Sequence, residues 1–156
     1  MAFSVFISYS TNDLANAKAL SSWVKAAGAQ PFLAEYSLSP GQPLASGILA
    51  AIRNCNLFLL LWTGNARNSE WVPQEIGIAK GAGKDILPIV LQRGLTLPGF
   101  IKDLKYLAVY NDQTATIQWL YQHLTGKVKQ KEEIEKVVAG GIVGAILLLL
   151  AVASKS

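Results

Sequence analysis

The sequence predicts an α/β fold, a parallel sheet covered by helices on both faces, with one C-terminal transmembrane helix. Three observations carry this reading. Short β-branched and aromatic runs alternate with stretches of helical periodicity, the pattern of a βαβ chain. Several of those runs, above all Leu57-Phe58-Leu59-Leu60-Leu61-Trp62, are apolar throughout, as strands buried on both faces are. Seventeen uncharged residues, Val137 to Ala153, then account for much of the 51% hydrophobic content of a 156-residue chain. The rest has room for one domain with a sizeable core.

Phe3 to Ser8 is short, aromatic and β-branched, and reads as the first strand. Thr11 or Asn12 caps a helix with Leu14, Ala17, Leu20, Val24 and Ala27 inward, and Gly28 closes it in the left-handed position. Gln30 to Ala34 is a second strand, followed by a Ser/Pro/Gly-rich loop, Glu35 to Pro43. Leu44 to Arg53 is a second helix with Leu44, Ile48, Leu49 and Ile52 on one side. Asn56 to Trp62 is the third strand and Thr63 to Ser69 a polar loop. Pro73 has no N–H to donate, so it must lie in the first turn of the next helix. That helix therefore starts at Ser69 or Glu70, and it runs to about Gly83. Ile86 to Leu91 is a fourth strand whose Pro88 marks a place where one backbone donor is not needed. A long connection, Gln92 to Lys105, leads to a short fifth strand, Leu107 to Tyr110. Thr114 to about Thr125 is the last helix of the domain, with Ile117, Leu120, Tyr121 and Leu124 inward.

Residues 126–136 form a charged connector, helical and continuous with the apolar run at 137–153. That run is near the lower limit of the ~17–25 residues that span a bilayer, and it lacks the polar stripe of a helix packed on a core. Its C-terminal position excludes a signal peptide. Lys127, Lys129, Lys131 and Lys136 precede it and Lys155 follows, so the positive-inside tendency keeps the N-terminal domain cytoplasmic. An apolar helix docking on another protein is the alternative. Gly140 and Gly144 form a small-xxx-small pair that can let two membrane helices approach.

The net charge of +4 divides into nine Lys/Arg against seven Asp/Glu before residue 127, and five against three after it. Neither part has the basic stripe that nucleic acid requires, and the lysines beside the apolar run suit an anionic membrane surface instead. A single cysteine, Cys55, excludes an internal disulfide and fits a reducing compartment. One histidine, His123, and no Cys/His cluster argue against a metal site.

The carboxylate that stands out is Glu75. Trp71 and Glu75 are four apart and share a helix face beyond a strand's carboxyl end, the region where open α/β sheets bind ligands. The bland reading is a helix-face carboxylate near the positive helix N-terminus, and Glu70 fits that role better than catalysis. Tyr9 divides between core tyrosine and binding residue. Cys55 reads as a small buried filler and His123 as a boundary residue. GIAKGAGK (Gly77 to Lys84) has one residue too many for a phosphate loop, lacks the following Ser/Thr and closes a helix rather than opening one.

FISYS (Phe6 to Ser10), the loop with Leu38, Pro40 and Gly41, SEWVPQEI (Ser69 to Ile76) and DILPIVL (Asp85 to Leu91), in this order and spacing, resemble a TIR (Toll/interleukin-1 receptor) domain over residues 1–125. The resemblance implies a flavodoxin-like three-layer fold with a five-stranded parallel sheet. Some TIR domains are adaptors that only self-associate; others, many of them prokaryotic, cleave NAD between nicotinamide and ribose. The enzymes place a catalytic glutamate on the third helix, four residues after a tryptophan, and Trp71 and Glu75 match that pattern. The resemblance thus implies an NAD+ glycohydrolase or cyclase with Glu75 catalytic, Tyr9, Ser10, Tyr36, Leu38 and Trp71 contacting substrate, and no cofactor or metal. It implies activation by self-assembly, in which the loop after the second strand completes a neighbour's site, and a role in prokaryotic immune signalling. Where many enzymatic members carry charged residues after FISY, this chain has Ser10-Thr11-Asn12-Asp13, and Ala34 stands where the second strand often ends in aspartate. The alternatives are a non-enzymatic scaffold that recruits partners at a membrane through Tyr36, Leu38, Pro40 and Gly41, and an apolar tail that disrupts membranes.

Overall fold

The computed structural model of the chain describes residues 2–34 and 46–140. Five parallel strands, β1 (Ser4–Ser8), β2 (Gln30–Leu33), β3 (Leu57–Trp62), β4 (Ile86–Val90) and β5 (Leu107–Ala108), form one sheet in the order β2-β1-β3-β4-β5. Between and after them lie α1 (Leu14–Ala26), α2 (Ser46–Asn54), α3 (Gly64–Arg67), α4 (Val72–Gly81) and α5 (Gln113–Ala139). Crossovers between parallel strands are right-handed. The chain steps one way from β1 to β2 and the other way from β2 through β5, so α1 is driven to one face and α2 and α4 to the other.

Strand alternation sorts the core into two layers. Phe6, Phe58, Leu60, Trp62 and Val90 face α2 and α4, where Ile48, Ile52, Val72, Ile76 and Ala79 meet them. Val5, Ile7, Leu57, Leu59, Leu61 and Ile89 face α1 and α5, against Ala17, Val24, Leu120 and Leu124. A row of stacked rings crosses three strands on the first face, Phe32 on Phe6 and Phe6 on Phe58, each pair with centroids 5.4 Å apart. All six residues of β3 are buried, as its unbroken apolar run demands.

The open rims carry prolines. Gln30 N donates to Phe3 O, so Gln30 faces β1 and its neighbour Pro31 faces outward from β2. Val109 N donates to Val90 O, and Leu91 N donates to Trp62 O. Even-numbered residues of β4 therefore face β5. Pro88 is one of them, and β5 pairs only with Ile89 and Val90. The donor that Pro88 lacks has no partner strand to meet.

Several local expectations change. Ser10, not Thr11 or Asn12, caps the first helical segment: its hydroxyl accepts from Asn12 N at 3.3 Å and opens a 3-10 turn, Thr11–Asp13, ahead of α1. Leu14 and Tyr121 are exposed rather than inward; Leu14 falls in the turn where the 3-10 segment becomes α-helix. The expected loop at 63–69 contains α3, capped by Thr63, whose Oγ1 accepts from Ala66 N at 3.0 Å. Helix α4 begins at Val72, with Ser69 Oγ accepting from Trp71 N and Val72 N. Gly28 does take a left-handed φ of 90° beyond α1.

Helix α5 runs 27 residues without a break through residue 125 and along the connector to Ala139. Lys131 Nζ ties it to the amino edge of the sheet, donating to Asn56 Oδ1 at 2.9 Å and Ala2 O at 3.0 Å. Among the described residues no helix is long and apolar enough to cross a membrane. Most of the apolar run at 137–153, including the Gly144 end of its small-residue pair, lies outside the described residues. So do Tyr36, Leu38, Pro40 and Gly41.

Candidate active site at the carboxyl end of the sheet

The strand order reverses between β1 and β3, and the ligand crevice of a doubly wound sheet lies beyond the carboxyl ends of the strands at such a point. Here that point is built from residues after β1 and β3 together with α4. The buried stripe of α4 reads Val72, Glu75, Ile76, Ala79, the i, i+3, i+4, i+7 positions of a core-facing helix. Glu75 occupies one of them and is 0% exposed. A carboxylate at a position that would ordinarily hold leucine is costly to desolvate and must be hydrogen-bonded.

Ser8, the last residue of β1, meets it. Its Oγ donates to Glu75 Oε1 at 2.7 Å, and Ser8 is also 0% exposed. Strand alternation explains the contact: Ser8 lies on the same side as Phe6, toward α4. Tyr9 points the other way, into the layer of α1 and α5, where its hydroxyl donates to Ala34 O at 2.6 Å. The structure thus brings Ser8 to Glu75. Ser10 is buried in its capping role. Trp71 is half-buried one turn before Glu75, whose N–H donates to Trp71 O at 3.0 Å.

A second buried carboxylate flanks the first. Asp13 Oδ2 accepts from Thr63 Oγ1 at 2.5 Å, and Oδ1 accepts from Asn65 Nδ2 at 2.9 Å. This clamp fastens the turn after β1 to the start of α3 after β3. Ser8, Asp13, Thr63 and Asn65 all escape a reading by residue type. For Ser8 the signal was available: parity with Phe6 within a strand of known alternation.

The remaining candidates have local roles. Glu70 is exposed and precedes α4. Cys55 is buried and its S–H donates to Ile52 O at 3.1 Å. Burial pushes its thiol up despite the opposing charge of Lys84, the wrong direction for a nucleophile. Among the described residues no three His, Cys, Asp or Glu gather as metal ligands would. A cavity of about 600 Å³ opens at the opposite, amino end of the sheet, lined by Asp85, Trp119, His123, Lys127 and Lys131 among others. It lies far from the reversal of strand order and holds neither Ser8 nor Glu75.

The family profile that matches the chain is described as TIR domain and covers residues 5–124. No curated protein matches. Among solved structures, the chain is similar to the TIR domain of the Toll-related receptor TRR-2 from Hydra magnipapillata, with a TM-score of 0.62 and 23% identity over 77% of this chain and 96% of that one. It is similar to the CMP N-glycosidase BcmB of Clostridium botulinum, with a TM-score of 0.55 and 20% identity over 75% and 97%. The TIR domains of the activated Roq1 resistosome that recognises the effector XopQ align with a TM-score of 0.50 and 15% identity over 82% and 84%. At these identities the likeness is one of fold.

Proposed function

This chain belongs to the TIR domain family, and within it we propose an enzyme that cleaves the N-glycosidic bond between nicotinamide and ribose in NAD+, with Glu75 as the catalytic carboxylate. The observation that carries this reading is the burial of Glu75 in the apolar stripe of α4 with a hydroxyl donor from β1. Removing a carboxylate from water costs stability that hydrogen bonds only offset, and such costs gather at functional sites. The bond class named for the similar N-glycosidase from Clostridium botulinum is the bond class proposed here.

The chemistry asks little more than a placed charge. Nicotinamide leaves as a neutral ring from a pyridinium cation, so its departure needs no general acid. Positive charge develops on the ribose as the bond lengthens, and a fixed carboxylate stabilises that oxocarbenium-like state more than the ground state. Trp71 offers a ring for stacking the planar leaving group. Whether water or the adenine base then captures the ribose decides between linear and cyclic products.

Glu75 is shut off from solvent in the described conformation, so turnover requires its cover to move. Self-association of TIR domains is the proposed trigger, in a prokaryotic immune response. Residues 137–153, as a single C-terminal membrane anchor, would raise the effective concentration for it, with the catalytic domain on the cytoplasmic side. The same closure favours one second reading, a non-enzymatic scaffold in which Glu75 never meets a ligand.

The test is NAD+ consumption by the full chain in liposomes at high protein density, with wild type beside Glu75→Gln. Turnover that disappears in the variant is the expected result. Equal turnover in both proteins would remove Glu75 from catalysis, and dense, assembled protein inert toward NAD+ would favour the scaffold.

A further inference from the structure

We infer that Ser8 is a positioning residue for this reaction, setting the orientation of the Glu75 carboxylate; the inference rests on the reading of Glu75 as catalytic. Two apolar patterns are interrupted at a single point in the molecule. On the α4 side of the sheet, Phe6, Phe58, Leu60 and Trp62 fill the layer; Ser4, at the partly exposed start of β1, is polar too, but Ser8 is the polar residue of β1 and β3 there that is 0% exposed. On α4, Val72, Ile76 and Ala79 fill the stripe, and Glu75 alone is polar. The two interruptions meet at 2.7 Å across 67 residues of sequence.

Packing alone does not ask for this pair. An alanine at position 8 would fill the strand end and present nothing polar, so the hydroxyl serves the carboxylate rather than the sheet. A glutamate reaches its target through a chain of rotatable bonds, and a helix fixes only the first of them well. A hydroxyl donor on a neighbouring rigid strand fixes the far end. Hydrogen bonds to an ionised acceptor are about twice as strong as neutral ones, and both partners here are excluded from water. Ser8 also lies in register with Leu60 of β3, so the donor is held by the centre of the sheet. Catalytic groups held to within about half an ångström by such supports work far better than loose ones.

Ser8→Ala in the full chain, assayed in the same liposomes, is expected to lower kcat for NAD+ roughly tenfold or more, the loss of one hydrogen bond to a charged group. KM should stay close to wild type, since Ser8 supports the carboxylate and does not hold the substrate. Ser8→Thr, which restores the hydroxyl, should recover much of the lost kcat. Wild-type kcat in Ser8→Ala, or a change confined to KM, would overturn the assignment. An independent arm reads the carboxyl carbon resonance of Glu75, identified by its absence from Glu75→Gln. It should move in Ser8→Ala while the other glutamates keep their shifts. An unmoved resonance overturns the pairing whether or not substrate is consumed. A moved one in a protein inert toward NAD+ upholds the pairing and overturns only the reaction assigned to it.

Discussion

The two ends of the sheet solve the same fastening problem in opposite ways. At the amino end, Asn56 Oδ1 gathers Ser4 N and Lys131 Nζ, each at 2.9 Å, and these ties are only partly buried. At the carboxyl end, Ser8, Asp13, Thr63 and Glu75 are all less than a tenth exposed. A half-exposed tie is cheap to make and cheap to lose, because water replaces a missing partner. A buried one must be complete, and its loss is felt in full. The amino end shows that this fold can be held together without buried charge. The two carboxylates hidden at the other end therefore need another reason: Asp13 supports the flanking turn, and the reason proposed for Glu75 is chemistry.

The sharpest way to break this contrast is Glu75→Gln. The amide oxygen can still accept from Ser8, so the thermal midpoint should hold within about 2 °C while turnover falls by roughly 10²–10³-fold or more. A variant that instead loses its fold would make Glu75 a structural group like Asp13. Asp13→Ala tests the partner case. It strands the Thr63 hydroxyl and the Asn65 amide, and urea titration should show a loss of about 2–3 kcal/mol, with turnover per folded molecule preserved. If turnover vanished while stability held, Asp13 would belong with Glu75.

Lys131→Met sharpens the other side. Its tie at Ala2 is exposed and that at Asn56 only partly buried, and their removal should lower stability by less than about 1 kcal/mol. The smallest effect belongs to His123, stacked on Trp119 at 4.6 Å. Burial and then Lys127 lower its pKa from 6.5, with Asp85 opposing. The unfolded chain therefore takes up this proton at a higher pH than the folded chain does. Stability from this group is complete above pH 6.5 and is lost as the pH falls through the depressed value. His123→Gln should flatten that part of a stability-versus-pH curve, and an unchanged slope would show that the group is solvated in both states.

Much of the fold was legible because its strongest signals are local. Six consecutive apolar residues made β3 unmistakable, and Pro73 located the start of α4 to within three residues. Other features depend on tertiary partners. Helix α3 is four residues long, too short to show a period. Helix α5 runs on to Ala139, which composition alone divides at the first lysines. Strand β5 shrinks to two residues because only Ile89 and Val90 offer it a ladder. On α4 the spacing that puts Trp71 and Glu75 on one face was legible, whereas the hydrogen bond from Ser8 on β1 to Glu75 was not. An aromatic residue such as Tyr9 attracts attention, yet the direction of the crossovers decides which side of β1 faces α4, and that side carries Ser8.

The prolines on the two rims have a consequence for how copies of this protein can meet. A sheet edge is a template on which another chain can lay down a strand, the first step toward domain swapping and fibre growth. Pro31 deletes a donor on the outward side of β2, and Pro88 deletes one on the β5 side of β4, just before the two residues that β5 pairs, so neither side offers an unbroken ladder. Contacts between copies are then steered toward side chains rather than a zipper of backbone bonds. Two missing hydrogens thus narrow the route from contact between copies to strand exchange.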